Sequence, residues 1–457
     1  MSGGFWTLDR VAAALEAGGG VAGSAPKGST QITSITTDTR KIGKGDLFVA
    51  LIGERFDGHD FVETAVTAGA AALVVSRAPK LDSVGVPVFE VPDTLVALGD
   101  LAHYWRRAWG GPLIGVAGSN GKTSTKDLLL AALGKAFSVH ATTGNLNNRV
   151  GVPLTLLGLP READLAVVEL GTSLPGEVAM LRAIAEPDIA VVTSIAEEHL
   201  EGLGDLAGVL REEAAAYERV AVGIAPSGQP EIATAARDKA RKVVVAGLDE
   251  HADFKPDKWK IGPDGLGELE FDGVTVRPPL RGLHNLRNAM LALAVARECG
   301  VPLESSAAGI AAMAQPKMRV AWEQVGDVTL INDAYNSNPG SARAAIGLLD
   351  GAGPGRQRVI VLGTMRELGA ASAQCHADIA SLALESGADI VAGIGEFAPP
   401  LAERTGAGDR VITASDVDDL WPRLQARLQR NAIILLKASR GVQLERLVPH
   451  LTTWANS

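Results

Sequence analysis

The chain has 457 residues, 46% of them hydrophobic and 21% charged, and at roughly 150 residues per domain this length gives about three domains with ample apolar material for a core. Lys+Arg 43 against Asp+Glu 53 leaves a formal net charge of −10, not the basic field that holds a polyphosphate backbone, so no nucleic-acid partner is expected. Cys299 and Cys375 are the only cysteines, which excludes a disulfide framework and a cysteine zinc site, and no apolar run approaches the roughly 18 residues of a membrane span. Since MSGGFWTLDR lacks a basic-then-apolar leader pattern, a cytoplasmic protein without an integral membrane segment is the expectation.

Residues 1–108 open with short β-rich pieces at 32–37 and 46–51, then a helical stretch from Phe61 into Gly69 and a buried strand at 72–76. A helix from Thr94 to Ala108 runs into Trp109-Gly110-Gly111-Pro112, where glycine and proline break the pattern. Over 109–316, apolar runs at 113–117, 165–168, 189–192 and 242–246 alternate with helical segments, and a helix from Leu286 to Cys299 closes the unit. This is the rhythm of a parallel sheet. Over 317–457 it returns with strands near 328–331, 359–362, 390–392, 410–412 and 432–436, predicting a Rossmann-like unit. The fold class read from the pattern is α/β, in three domains.

Gly115-Val116-Ala117-Gly118-Ser119-Asn120-Gly121-Lys122-Thr123 follows an apolar strand and precedes a helix with Leu129, Leu133 and Ala136 on one face. That context makes it a phosphate-binding loop, although Val116 stands where the strict spacing needs glycine. Glycines let backbone N–H groups converge on phosphate oxygens, Lys122 neutralises them, and the Thr123 hydroxyl can ligate Mg²⁺. ATP is expected on Gly118, Ser119, Asn120, Gly121, Lys122, Thr123 and Ser124. Glu169 and His199 follow two of the apolar runs, placing a carboxylate and an imidazole where a second Mg²⁺ or Mn²⁺ would lie. Each residue, taken alone, also fits an ordinary strand end or loop.

The phosphate loop, Thr142-Thr143-Gly144-Asn145-Leu146-Asn147-Asn148 and Leu283-His284-Asn285-Leu286-Arg287-Asn288-Ala289 resemble the Mur ligases of peptidoglycan synthesis, and the resemblance runs over nearly the whole chain. Thr37-Asp38-Thr39-Arg40, with 45–50 and 57–61, resembles the UDP-sugar-binding first domain of members acting late on the peptide stem. Segments 333–339 and 362–369 resemble the member that adds D-Ala-D-Ala to a UDP-N-acetylmuramoyl tripeptide.

The resemblance implies a UDP-sugar-binding α/β domain (1–108), a central P-loop mononucleotide-binding parallel-sheet domain (109–316) and a C-terminal Rossmann-like domain (317–457). It implies a monomer that uses ATP and Mg²⁺, forms an acyl phosphate and releases ADP and phosphate. Asn285 and Asn288 would lie at the adenine, and Arg319 and Asp333 would reach the nucleotide from the third domain. Asn145, Asn147 and Asn148 would face the muramoyl group. Thr37, Asp38, Thr39, Arg40, Tyr335, Asn336, Asn338 and Lys437 would be further substrate contacts, Lys437 heading a Lys-Ala-Ser-Arg run similar to the family's Lys-Gly-Ser-Arg. The catalytic set would be Lys122, Glu169, His199 and Glu213, and the metal ligands Thr123, Glu169, His199 and Glu213. Glu213 aligns with a lysine that the family carbamylates, so its carboxylate, or that of Glu212, would replace the carbamate.

Simpler readings stand beside these: helix capping for Asn285 and Asn288, and a solvated helix face for Glu212 and Glu213. Ser173 and Leu174 replace the family's usual Asn-His, and Thr364 and Arg366 its usual Asp and Leu. These departures leave open another amine acceptor, or a homologue that binds without turnover. A P-loop motor or switch leaves 145–148 and 57–61 unexplained. Since the third domain must reach a nucleotide held mainly by the second, an open arrangement without ligands is expected.

Overall fold

The computed structural model describes residues 4–22, 24–77, 85–314, 318, 320–352, 355–403 and 408–457. Four short strands, Ile35–Thr36, Leu47–Val49, Ala72–Val75 and Val88–Glu90, form the first sheet in that spatial order, all parallel. Alternate residues serve opposite faces, as strand geometry requires. Leu47, Val49, Ala72 and Val74 pack with the helices Leu8–Gly18 and Thr94–Trp109, while Phe48, Leu73 and Val75 pack with Val62 and Ala65 of the short helix Val62–Thr67.

The helix Thr94–Trp109 starts where Asp93 accepts the N–H groups of Leu95 and Val96 at 2.7 and 3.2 Å, and ends at Gly110, whose φ is 69°. It also bridges to the next unit. Its Leu98, Leu101 and Trp105 share one continuous apolar core with Leu113, Val152, Leu156 and Leu181, and Trp105 Nε1 donates to the Leu159 carbonyl at 3.1 Å.

The central sheet has six parallel strands in the order Lys242–Ala246, Val222–Pro226, Ile189–Val192, Leu113–Ala117, Leu165–Glu169, Val139–Ala141. Leu113–Ala117 lies between strands that come later in the chain, so connections leave it in both directions. Its carboxyl end is the crevice where an open α/β sheet binds ligand. Three antiparallel strands, Lys258–Ile261, Gly267–Phe271 and Val274–Val276, form a separate small sheet that the parallel-sheet reading does not anticipate. The helix Leu283–Glu298 is buried along most of its length against Lys122–Leu133.

The third sheet runs Ala321–Val325, Val328–Asp333, Ile433–Lys437, Arg358–Leu362, Ile390–Ile394, Val411–Ala414, with only the first strand antiparallel. This unit is closed onto the central one rather than held open. Asn120 and Asn338 exchange amide hydrogen bonds at 3.2 and 2.9 Å, Arg343 pairs with Glu197 at 3.3 Å, and Leu200 packs against the cores of both units. Among the described residues no helix is long and apolar enough to cross a membrane.

Candidate active site

A cavity of about 690 Å³ lies where the carboxyl ends of the central and third sheets face each other. Ser119 through Ser124 line it, with Asn145, Asn147, Asn148, Glu169, His199, Asn285, Asp333, Tyr335, Asn336 and Lys437. Sequence positions as far apart as 119 and 437 therefore meet at one site. Arg319 lies outside the described residues.

The phosphate loop is shaped by bonds to the residues packed behind it. Gly118 N–H donates to Glu213 Oε2 at 2.6 Å, Ser119 N–H to the Ser194 carbonyl at 2.7 Å, and Asn120 N–H to Ser194 Oγ at 3.1 Å. These three N–H groups hold the loop's form, and the first turn of Lys122–Leu133 is left to face the cavity with its N–H groups and dipole. Gly118 has φ 114°, and a Cβ there would lie 2.4 Å from Thr193 Oγ1 and 2.7 Å from Thr193 N. Both the backbone conformation and the space demand glycine. Gly118→Ala is expected to abolish binding of an ATP analogue in calorimetry, and unchanged affinity would contradict this account of the loop.

Thr123 Oγ1 donates to Glu169 Oε2 at 3.1 Å, and Glu169 Oε1 lies 3.7 Å from Lys126 Nζ. Glu169 is almost wholly buried at the end of its strand. A hydroxyl and a carboxylate side by side below a phosphate loop are the oxygen donors that Mg²⁺ takes from a protein, phosphates and water completing its shell. Thr123 and Glu169 thus fit that ion.

His199 adopts φ 54°, a left-handed conformation rare for a residue with a side chain. Its Nδ1 bonds Glu367 of the third unit, and its Nε2 lies 3.7 Å from Glu198 Oε1. Burial alone would lower the imidazole pKa, but the Glu367 bond and the Glu198 charge outweigh it and raise it. The site favours positive charge at this point. Neither Glu198 nor Glu367 is singled out by the sequence. Glu198 is the middle of Glu197-Glu198-His199 with nothing to mark it as the inward one, and Glu367 is 168 positions from its partner.

The adjacent glutamates ending the helix Leu206–Glu213 are both buried, which rules out a solvated face. Glu212 accepts the N–H groups of Gly176 at 2.7 Å and Val178 at 2.8 Å and the Thr172 hydroxyl at 3.1 Å, so it fixes the loop before Glu177–Ala185. Glu213 sits behind the phosphate loop on the Gly118 N–H and does not line the cavity. The expectation that it stands among the metal ligands meets this obstacle. Nor, among the described residues, do three His, Cys, Asp or Glu side chains gather closely enough to hold a metal ion by themselves. Burial pushes the Glu213 carboxyl up to about 7, against the opposing pull of Lys122 and the Gly118 N–H.

Asn285 Nδ2 donates to the Arg281 carbonyl at 2.8 Å, and Asn288 Nδ2 to Asn285 Oδ1 at 3.3 Å; no side chain caps their helix, so capping does not account for them. Asn288 lies against Gly121, behind the cavity wall. Asn148 accepts the N–H of Gly151 at 2.9 Å and begins the helix Gly151–Leu157. Asn338 caps Pro339–Asp350 as well as pairing with Asn120, and is not in the cavity lining. Lys437 and Asp333 close neighbouring strands and pair at 2.9 Å, with Lys437 also donating to the Asn336 carbonyl at 2.6 Å. Thr37 to Arg40 form a turn on the first sheet, away from this lining. There Asp38 accepts from Arg40 Nε and Nη2, each at 2.8 Å, and the guanidinium holds its carboxyl down at about 2.

Three family models match the chain in succession: the Mur ligase family catalytic domain over residues 31–106, the Mur ligase middle domain over 116–296, and the Mur ligase glutamate ligase domain over 318–440. The UDP-N-acetylmuramoyl-tripeptide–D-alanyl-D-alanine ligase of Bacillus subtilis (strain 168) is 35% identical over 435 residues, covering 92% of this chain and 93% of the relative. That of Escherichia coli (strain K12) is 35% identical over 432 residues, covering 91% and 93%. A crystal structure of MurF from Acinetobacter baumannii aligns with a TM-score of 0.88 at 31% identity, covering 98% of this chain and 99% of that one. MurF ligase from Thermotoga maritima, solved in complex with ADP, aligns with a TM-score of 0.81 at 26% identity, covering 93% and 98%. With a phosphate loop, a central parallel sheet and a third unit closed over both, and with matches along nearly its whole length, the chain belongs to the Mur ligase family of ATP-dependent ligases.

Proposed function

We propose that this protein joins D-alanyl-D-alanine to a UDP-N-acetylmuramoyl tripeptide at the expense of ATP, as a step in peptidoglycan precursor synthesis in the cytoplasm. The observation that carries the reading is the single cavity into which the phosphate loop, Asn145 to Asn148 and the segment from Asp333 to Asn336 all open. Full-length likeness to relatives bearing that name supports it. The division of labour follows the three units: 1–108 for the UDP-sugar, 109–316 for ATP and 317–457 for the incoming amine. The half-buried turn at Thr37–Arg40, preorganised by the Asp38–Arg40 pair, is the proposed UDP contact.

The terminal carboxylate of the tripeptide attacks the γ-phosphorus and ADP leaves. The amine of D-Ala-D-Ala then attacks the acyl phosphate carbonyl and phosphate leaves. Both steps crowd negative charge at the phosphate loop. Lys122 and the first-turn N–H groups are fixed in place to stabilise it, without reorganisation at the moment of reaction. A Mg²⁺ held by Thr123 and Glu169 would offset further phosphate charge. Closure of the third unit through Asn120 and Asn338 keeps water from an acyl phosphate that would otherwise hydrolyse. Thr364 accepts the Glu396 N–H at 3.0 Å and Arg366 donates to the Gly441 carbonyl at 3.3 Å. Both brace the third unit's own backbone and stay out of the cavity lining.

Phosphate release should require ATP, Mg²⁺, the UDP-linked tripeptide and D-Ala-D-Ala together. Equal release without any amine would overturn the ligase reading. Higher kcat/KM with single amino acids would reassign the acceptor within the family.

A further inference from the structure

A loop by which the third unit meets the central one takes its shape from the residues behind it. Between the strand Arg358–Leu362 and the helix Ser372–Glu385 the chain turns through Glu367 at φ 64° and Gly369 at φ 53°. Its outer side receives the central unit. Leu200 packs against the core that contains Met365 and Leu368, the Glu201 N–H donates to the Glu367 carbonyl at 3.2 Å, and a Cβ on Gly369 would lie 3.0 Å from Glu201 Cα. Its inner side supports the cavity wall formed by Asn336 and Lys437. Gly363 N–H donates to the Lys437 carbonyl at 2.9 Å and Arg366 N–H to Ser439 Oγ at 3.0 Å, and that hydroxyl donates to the Ser337 carbonyl at 3.3 Å.

His376 stands behind this loop. It is fully buried, with its ring edge-on to that of Phe397 at 4.7 Å. The Met365 N–H points at its Nε2 at 2.9 Å, and its Nδ1 lies 2.7 Å from the Ser372 carbonyl. A backbone N–H can only donate and a carbonyl can only accept, so the ring is neutral, with a bare Nε2 and its proton on Nδ1. Burial, which lowers the imidazole pKa against the opposing pull of the Ser372 carbonyl and Glu396, agrees with that state. No step of the ligase mechanism calls on this histidine, and a leucine would fill the space without burying polar atoms. What a leucine could not do is accept the Met365 N–H, and a buried N–H left unmatched is relieved by moving the loop.

We propose that His376 is a positioning residue whose Nε2 sets the loop from Gly363 to Gly369 as the socket into which Leu200 docks, and that this docking decides whether the acyl phosphate passes to the amine or to water. The proposal rests on the ligase reading. With the socket displaced, the third unit excludes water less well. A water oxygen then attacks the acyl carbon in place of the amine nitrogen. The bond from that carbon to the phosphate oxygen breaks, phosphate leaves, and the tripeptide carboxylate is regenerated with release of a proton. ATP is consumed and no amide bond forms.

Two variants separate the ring nitrogens. His376→Gln places an amide oxygen at the reach of Nε2 and still accepts the Met365 N–H, whereas His376→Asn reaches only as far as Nδ1. Phosphate released is measured against amide bond formed, with ATP, Mg²⁺, the UDP-linked tripeptide and D-Ala-D-Ala all saturating. In the parent and in His376→Gln the two should rise in step. In His376→Asn amide formation should fall about 10-fold, with phosphate exceeding amide severalfold. Leu200→Ala withdraws the docking side chain from the central unit and leaves His376 alone. It should show the same excess, and it decides the matter if thermal unfolding shows that His376→Asn does not fold. Phosphate and amide in step in a folded His376→Asn or in Leu200→Ala would overturn the proposal, as would an excess in His376→Gln equal to that in His376→Asn. A parent that forms no amide with any amine would defeat the ligase reading itself, and this proposal with it. Tight coupling in every chain would leave that reading standing and defeat the proposal alone.

Discussion

Lys122→Ala is expected to lower kcat/KM at least about 100-fold, because one charged contact aimed at the transferring phosphoryl group is worth roughly 3 kcal/mol or more. In the structure the ammonium is folded back on the loop, donating to the carbonyls of Gly118 and Ser119 and lying 3.9 Å from Glu198. It is thus tethered at the cavity wall, so its removal takes away a held charge rather than a flexible one. Binding of the UDP-linked tripeptide should persist, since the turn at Thr37–Arg40 belongs to a different sheet. Steady-state kinetics and calorimetry on the same variant separate the two. Activity within about threefold of the parent would contradict the role given to the loop.

Glu213 should make the ligand-free protein lose stability as pH rises toward neutrality. Its carboxyl titrates at 4.5 in a model chain and at about 7 in the fold, where burial is the main cause. The folded state therefore holds the proton more tightly. The stabilisation is complete below pH 4.5, declines between 4.5 and about 7, and is lost above, a change of about 3 kcal/mol by linkage. Glu213→Gln keeps an acceptor for the Gly118 N–H and cannot ionise. Urea midpoints at pH 5 should be similar for parent and variant, and at pH 7.5 the glutamine variant should be the more stable. Parallel midpoint–pH curves would refute this.

What the sequence shows plainly is whatever depends on a continuous apolar run. Strands Leu113–Ala117, Ile189–Val192 and Lys242–Ala246 have the bounds the pattern predicts, because a parallel strand buried on both faces needs unbroken hydrophobicity. Val139–Ala141, half-buried at the sheet edge with His140 at its centre, carries too weak a pattern to be read. Val222–Pro226 contains Gly223 and ends in proline, and the largely exposed Lys258–Ile261 interrupts Trp259 and Ile261 with lysines, so neither shows a continuous apolar run. The phosphate loop was legible because its chemistry is local, six residues at fixed spacing. Glu198, Glu367 and the Asn120–Asn338 pair were not, since each acquires its role only when segments from different sheets meet. Spacing along the chain carries no trace of that meeting.

The two neighbouring glutamates of Leu206–Glu213 reach opposite ways, one to the loop before Glu177–Ala185 and the other to the phosphate loop. Consecutive positions on a helix differ by about 100° in direction, so both reaches are met at one rotational setting. A single residue inserted into this helix would turn both carboxylates away together and leave buried N–H groups of two loops unmatched. Substitution at its exposed positions changes neither anchor. In related chains this stretch should thus tolerate drift in composition far better than drift in length, the reverse of a surface connector.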